Sequence, residues 1–285
     1  MNPNFGTVTI VGAGLLGGSL GLALKERGLA RTVRGVGRRQ CSLDTALAKG
    51  AIDEGYLNIE EAVHGADLIV VCTPAGMVPQ QLDQIRGACS VSAVVTDVAS
   101  TKAEICAHAE ATWASPRRFV GSHPMAGSEK YGPEHATPTL YDGCVTFVEA
   151  LGSQEPEAHE RIVALWRSLG ARVIEVDPVR HDALVARTSH IPHILAALIA
   201  ELAGDACDVR AAAGRGFRDV TRIAAGRPEI WRDICLTNRA AVLEGLEQIA
   251  RRLDHVRGAI EAGSGDALEA FFESARAARQ KVAGE

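Results

Sequence analysis

Thr7-Val8-Thr9-Ile10-Val11-Gly12-Ala13-Gly14-Leu15-Leu16-Gly17-Gly18-Ser19-Leu20-Gly21-Leu22-Ala23-Leu24 carries a short β-branched run straight into glycines spaced G-x-G-x-x-G, and from there into a helical pattern. β-Branched residues suit a buried pleated surface, so 7–11 reads as a strand. Spaced glycines alone mean little. With a strand before them and a helix after them they have the context of a dinucleotide fingerprint. Gly12 then permits the tight turn, Gly14 lets a pyrophosphate approach the backbone, and Gly17 lets helix pack closely on strand. The helix opening at Leu15 and Leu16 offers unpaired N–H groups and the positive end of its dipole to the phosphates.

Working outward, 32–36 is a second strand. At its end a carboxylate would hold the ribose of NAD, but the chain reads Gly37-Arg38-Arg39-Gln40. Two guanidiniums suit a 2′-phosphate with fork-like, charge-assisted bonds, so NADP is preferred and NAD remains possible. A solvated basic turn is the plain alternative. Strand and helix go on alternating: 67–74 is a buried strand ending at Thr73 and Pro74, which join the expected cofactor contacts. A helix over 77–86, a strand over 93–98 and a helix from 99 follow. Ser100 has the chemistry of an N-cap for that last helix, and it also lies at the carboxyl edge of a strand, where such sheets bind ligands.

Next comes Gly121-Ser122-His123-Pro124-Met125-Ala126-Gly127, a histidine among small residues that leave room for a ligand. The polar, Gly- and Pro-containing stretch 128–141 reads as a loop over the site. Strands at 144–148 and 171–176, flanking a helix over 156–169, complete the parallel sheet near Val176. Asp177-Pro178 marks a boundary, giving domains 1–178 and 179–285. Beyond it the pattern is helical only. A central helix over 181–195 places His190 and His193 three apart, hence on one face, with Pro192 bending it. No third ligand with suitable spacing accompanies that pair, which argues against a metal. Arg215, Arg218 and Arg222, between glycines and Ile223-Ala224, suggest a partly buried anion site rather than a solvated charged face.

Composition narrows the class. The 285 residues are 47% hydrophobic and 23% charged, with a formal net charge of -5, which gives no reason to expect nucleic acid or an anionic membrane as partner. The first residues lack a signal peptide's basic start and apolar core, and the longest apolar stretch, 191–203, is broken by His193 and Glu201. Seven cysteines without a C-x-x-C pair argue for reduced thiols in a cytoplasm and against a disulfide framework or zinc site.

With these motifs in order, the sequence resembles the prephenate/arogenate dehydrogenase family of tyrosine biosynthesis. The matching stretches are the Gly12 to Gly17 fingerprint, Asp97-Val98-Ala99-Ser100-Thr101-Lys102, Gly121-Ser122-His123-Pro124-Met125-Ala126-Gly127, Ser189-His190-Ile191-Pro192-His193 and Gly216-Phe217-Arg218-Asp219-Val220-Thr221-Arg222. The resemblance implies an α/β fold, with an N-terminal Rossmann-type doubly wound parallel sheet followed by an all-α dimerisation and substrate domain. It implies an oxidative decarboxylation in which a cyclohexadienol carboxylate becomes a phenol. His123 would engage the ring hydroxyl and Ser100 orient it. Arg222 would bind a substrate carboxylate, with His193 near the pyruvyl side chain and His190 beside it. The helical half would form a homodimer and close the site. A histidine at 193 suits prephenate's keto side chain better than arogenate's amine. A β-hydroxyacid dehydrogenase would need a helical-domain lysine, and the chain has none between Lys130 and Lys281. A non-catalytic NADP-binding sensor would keep the glycines and Arg38 but have no use for His123, Ser100 and Arg222 together.

Overall fold

A computed structural model describes residues 4–127, 130–204 and 209–283. Residues through Arg239 form one compact unit and those from Ala240 another, so the boundary expected at 178 falls inside the first unit. In that unit β1 (Phe5–Val11), β2 (Ala30–Val36), β3 (Glu54–Tyr56), β4 (Leu68–Val71), β5 (Val94–Asp97) and β6 (Phe119–Val120) build a six-stranded sheet. The order is β3-β2-β1-β4-β5-β6, with every pair parallel.

Strands β4 and β5 are buried at every position because helices cover both faces. Leu68 and Val70 enter a core with Leu20, Leu24 and Leu43, from α1 (Leu15–Glu26) and α2 (Gln40–Ala48). Ile69 and Val71 enter a second core with Val63, Leu82 and Ile105, from α3 (Ile59–Val63), α4 (Val78–Ala88) and α5 (Ala103–Thr112). Each such aliphatic side chain contributes about 1.5–3 kcal/mol relative to its exposed state. Val11 lies opposite both Val36 and Val71, and Val71 opposite Asp97. That register brings Gly12, Gly37, Cys72 and Val98 to one edge. The chain passes from β1 to β2 on one side and reaches β4 on the other, so a crevice opens at this edge between β1 and β4.

Three expectations are corrected. The strands near 144–148 and 171–176 do not extend the parallel sheet. With β7 (Ser122–Pro124), they form a separate mixed sheet as β8 (Val145–Glu149) and β9 (Arg172–Val176), antiparallel between β7 and β8 and parallel between β8 and β9 across α6 (Pro156–Ser168). The cause lies one residue past the last rung of β5 and β6, Thr96 opposite Val120. There Asp97 Oδ1 accepts from Ser122 N at 3.0 Å and Ser122 Oγ donates to the Asp97 carbonyl at 2.7 Å, so side chains replace the ladder and the strand departs. Second, Ser100 does not cap the following helix. α5 starts at Ala103, and the Lys102 and Ala103 N–H groups donate to the carboxylate of Asp182 at 2.8 and 2.9 Å. Third, the single bent helix is α7 (Pro178–Val185), a π-helical turn over Ala186–His190, and α8 (Ile191–Gly204). Ile191 N reaches back five residues to Ala186 O, just ahead of the proline that has no N–H to give.

Of the stretch 128–141, Ser128 and Glu129 lie outside the described residues; the remainder packs over α1, with Thr137 N on Ser19 Oγ at 3.0 Å and the Tyr141 hydroxyl on Leu16 O at 2.8 Å. Past Val176 the described residues are helical: α9 (Val209–Ala212), α10 (Arg215–Thr221), a 3-10 turn over Arg222–Ala225, α11 (Pro228–Thr237), α12 (Arg239–Glu261) and α13 (Gly265–Ala283). Pro178–Gly204 is long and apolar enough to cross a membrane by length and composition. It buries His181, Asp182, His190 and His193, as a helix of a folded domain does. The second unit is a hairpin of α12 and α13, turned at Gly263, whose φ of 64° closes the end of α12 with bonds from Gly263 N to Ile260 O and Ser264 N to Ala259 O.

Candidate active site

The fingerprint glycines lie in the turn from β1 into α1 and in the first turn of that helix. Gly12 has φ 103°, and a Cβ there would meet the Cys72 carbonyl oxygen at 2.6 Å, where β1 and β4 meet. A Cβ on Gly17 would overlap the Gly12 carbonyl oxygen and approach Ile10 Cγ2 to 2.7 Å, so α1 lies tight on β1. A Cβ on Gly14 would meet nothing within 4 Å: it faces open space at the start of α1, which has no side-chain cap. That is a cradle for phosphate oxygens at a helix N-terminus, and the residues present fit a dinucleotide. Arg38 and Arg39 follow β2 on the same edge, exposed, their guanidinium groups without a hydrogen bond or ion pair to a described residue. Thr73, after β4, donates to Gln81 Oε1 at 2.5 Å, and Pro74 leads into a 3-10 turn over Ala75–Met77.

His123 stands beside this edge, on β7, tethered to the end of β5 through Ser122 and Asp97. Ser122 Oγ also accepts from Trp166 Nε1 at 3.0 Å, and Asp97 pairs with the buried ammonium of Lys102. The protein partner of His123 is His181 rather than Ser100: Nδ1 of His123 lies 2.9 Å from Nε2 of His181. His181 Nδ1 in turn lies 2.7 Å from Asp182 Oδ1. Ser100 is half-buried on the adjoining loop and bonds no described residue. Burial, reinforced by His181, Lys102 and His190, holds His123 well below the usual histidine pKa, so the ring is neutral. Its Nε2 takes no hydrogen bond from a described residue. A neutral imidazole with one nitrogen anchored and the other bare is equipped as a general base.

The cluster continues into the helical segment. Asn238 Nδ2 donates to the Asp182 carbonyl at 2.8 Å and lies 3.1 Å from His190 Nδ1. His190 is buried with no partner on Nε2 among the described residues, and burial pushes it down to about 4. His193 stacks on Trp231, centroids 3.3 Å apart, while His190 meets the same indole edge-on, so the two histidines share one face. Burial lowers His193 as well. Gly226 is packed where a Cβ would collide with Trp231 Nε1 and approach His193 Cε1 to 2.8 Å. Arg222 begins the 3-10 turn that ends beside Gly226. The partly buried anion site is corrected here: Arg215, Arg218 and Arg222 are all exposed, because α10 buries no residue. Arg215 faces Asp219 at 3.7 Å, while Arg222 pairs with no described residue.

Models of the prephenate dehydrogenase nucleotide-binding domain and dimerization domain match residues 20–175 and 177–274. The chain belongs to the prephenate dehydrogenase family. Its relatives include the prephenate dehydrogenase of Bacillus subtilis, 30% identical over 97% of this chain and 76% of that one. The cyclohexadienyl dehydrogenase of Zymomonas mobilis is 29% identical over 96% of this chain and 95% of its own length. Among solved structures, the prephenate dehydrogenase of A. aeolicus in complex with hydroxyphenyl propionate and NAD+ superposes with a TM-score of 0.90 at 28% identity, covering 99% of this chain and 100% of that one. The sequence singles out His123 but not the pair that holds it, His181 and Asp182. His181 and Asp182 lie 58 and 59 residues beyond His123, and no spacing rule joins them. The one available signal was a histidine-aspartate pair beginning a helix just past the boundary. Trp231 and Asn238 carried none.

Proposed function

We propose that the protein is a prephenate dehydrogenase that converts prephenate to 4-hydroxyphenylpyruvate and CO2, with NADP as its preferred cofactor. The single observation that carries this reading is His123, buried, neutral and anchored through Nδ1, with Nε2 bare at the ligand-binding edge of a dinucleotide fold. Gly12, Gly14, Gly17, Leu15 and Leu16 would hold the pyrophosphate, Arg38 and Arg39 the 2′-phosphate, and Thr73 and Pro74 the neighbouring edge. A nicotinamide bound there would supply the acceptor for the hydride of the ring carbon bearing the hydroxyl. His123 draws the hydroxyl proton onto Nε2 as that carbon is oxidised, and returns it to the oxygen once carboxylate loss has made the ring aromatic. Ser100 orients the hydroxyl, the unpaired guanidinium of Arg222 takes a substrate carboxylate in two-pronged fashion, and His193 and His190 face the side chain.

The likeness to a cyclohexadienyl dehydrogenase supports arogenate as a second substrate. Leu243, Leu253, Ile260 and Phe272, on a two-helix unit too small to cover them, support a homodimer through the helical segment. Six described cysteines are free thiols, in keeping with a cytoplasmic enzyme. The test is an absorbance assay of prephenate and arogenate against NADP+ and NAD+, on the native chain and on Arg38→Ala. The expected result is highest kcat/KM with prephenate and NADP+, and a loss of the NADP+ advantage by about 1.5–3 kcal/mol, roughly 10- to 100-fold, when Arg38 is removed. Preference for NAD+ in the native chain overturns the cofactor assignment, and reduction with neither substrate overturns the activity.

A further inference from the structure

We propose that His181, held by Asp182, is the positioning residue that fixes the tautomer and orientation of His123. The chemistry of the proton rests on the dehydrogenase reading above; the tautomer does not. Asp182 Oδ1 accepts from Lys102 N and faces His181 Nδ1, while Oδ2 accepts from Ala103 N. Every neighbour of this carboxylate is a donor, so His181 Nδ1 carries its hydrogen toward Asp182. Burial keeps His181 below the usual histidine pKa although Asp182 pulls upward, so the ring is neutral and its Nε2 is an acceptor. Facing that acceptor at 2.9 Å, His123 Nδ1 must donate. The lone pair of His123 is thereby confined to Nε2, the nitrogen left for a substrate. Free histidine favours the opposite tautomer, with hydrogen on Nε2, which could not serve as a base there.

The surroundings leave this arrangement without a competitor. Phe147 lies edge-on to His181 at 5.1 Å and 6.4 Å from His123, an apolar wall along the pair. The ionisable groups that face the pair are Lys102 and Asp97, which are bonded to each other, together with Asp182 and His190. When His123 takes a proton on Nε2, its Nδ1–H still points at an imidazole backed by a carboxylate, so the cation is stabilised without any change of partner. The same carboxylate caps the start of α5, whose approach carries Ser100. One side chain from α7 therefore sets both the base and the loop beside it.

Two variants and one spectrum test this. His181→Phe keeps the bulk and removes the acceptor, and His181→Gln restores an acceptor oxygen. Expected is a fall in kcat of about 10²–10⁴-fold for His181→Phe, recovery to within about tenfold of wild type for His181→Gln, and little change in KM for prephenate or in affinity for NADP+. Side-chain nitrogen NMR of the wild-type chain should show His123 protonated on Nδ1 and bare on Nε2. A kcat for His181→Phe within about threefold of wild type, or no recovery with His181→Gln, overturns the proposal. So does a spectrum with Nε2 protonated, which decides the matter even where His181→Phe fails to fold. A wild-type chain that oxidises neither prephenate nor arogenate overturns the activity, and the spectrum still decides the tautomer.

Discussion

A buried histidine that stays neutral would give the proposed active site a wide working range on the acid side. The base form of His123 exists above its pKa, and burial places that pKa well below the ordinary 6.5. kcat/KM should therefore remain level from neutral pH down through 6.5 and decline only well below it. A pH–rate profile with its half-point at or above 6.5 contradicts this. His123→Ala should lower kcat by roughly 10²–10⁴-fold while leaving cofactor affinity intact, measured by NADP+ titration beside turnover. His123 was legible in the sequence because small residues surround it at a strand end. Its tautomer was not, since that depends on Asp182, a residue far along the chain whose oxygens face backbone donors of another helix.

The glycine turn separates two jobs that the sequence motif merges. Gly17 serves packing, because its Cβ would overlap the Gly12 carbonyl, whereas Gly14 faces open space, because its Cβ would meet nothing. Gly17→Ala should thus cost about 1–3 kcal/mol of stability in thermal unfolding. Gly14→Ala should leave the unfolding midpoint nearly unchanged and raise the KM for NADP+. Equal midpoint losses in the two variants would erase the distinction. At this scale β1, β2, β4 and β5 were plain from their apolar runs. β3 was not, being three residues, Glu54-Gly55-Tyr56, at an edge. β8 and β9 were recognised as strands and assigned to the wrong sheet, because alternation reveals that a segment is extended and says nothing of its partner. The partner was decided by Asp97 and Ser122, whose mutual bonds end one sheet and free the chain to begin another.

Across the whole molecule, four neutral histidines lie in one connected region: His123, His181, His190 and His193, all lowered by burial. Unfolded, each binds a proton near pH 6.5; folded, each resists. The unfolded state then holds more protons below pH 6.5, so stability must fall as pH drops through that value. His190, pushed to about 4, contributes a loss of about 2 kcal/mol by pH 5. The thermal midpoint should drop by about 4–8 °C between pH 7 and pH 5, and an unchanged midpoint would show that the histidines protonate in place. The carboxylate of Asp182 has a further consequence, for how such a protein can be taken apart. It belongs to the helical half by sequence, yet it caps the start of a helix of the sheet half and orients the sheet half's histidine. A fragment cut at the Asp177-Pro178 junction would lose both services at once. Grafting the helical half of a relative onto this sheet would succeed only if the graft brought its own acid to the same spot, so the two halves are inherited as a pair.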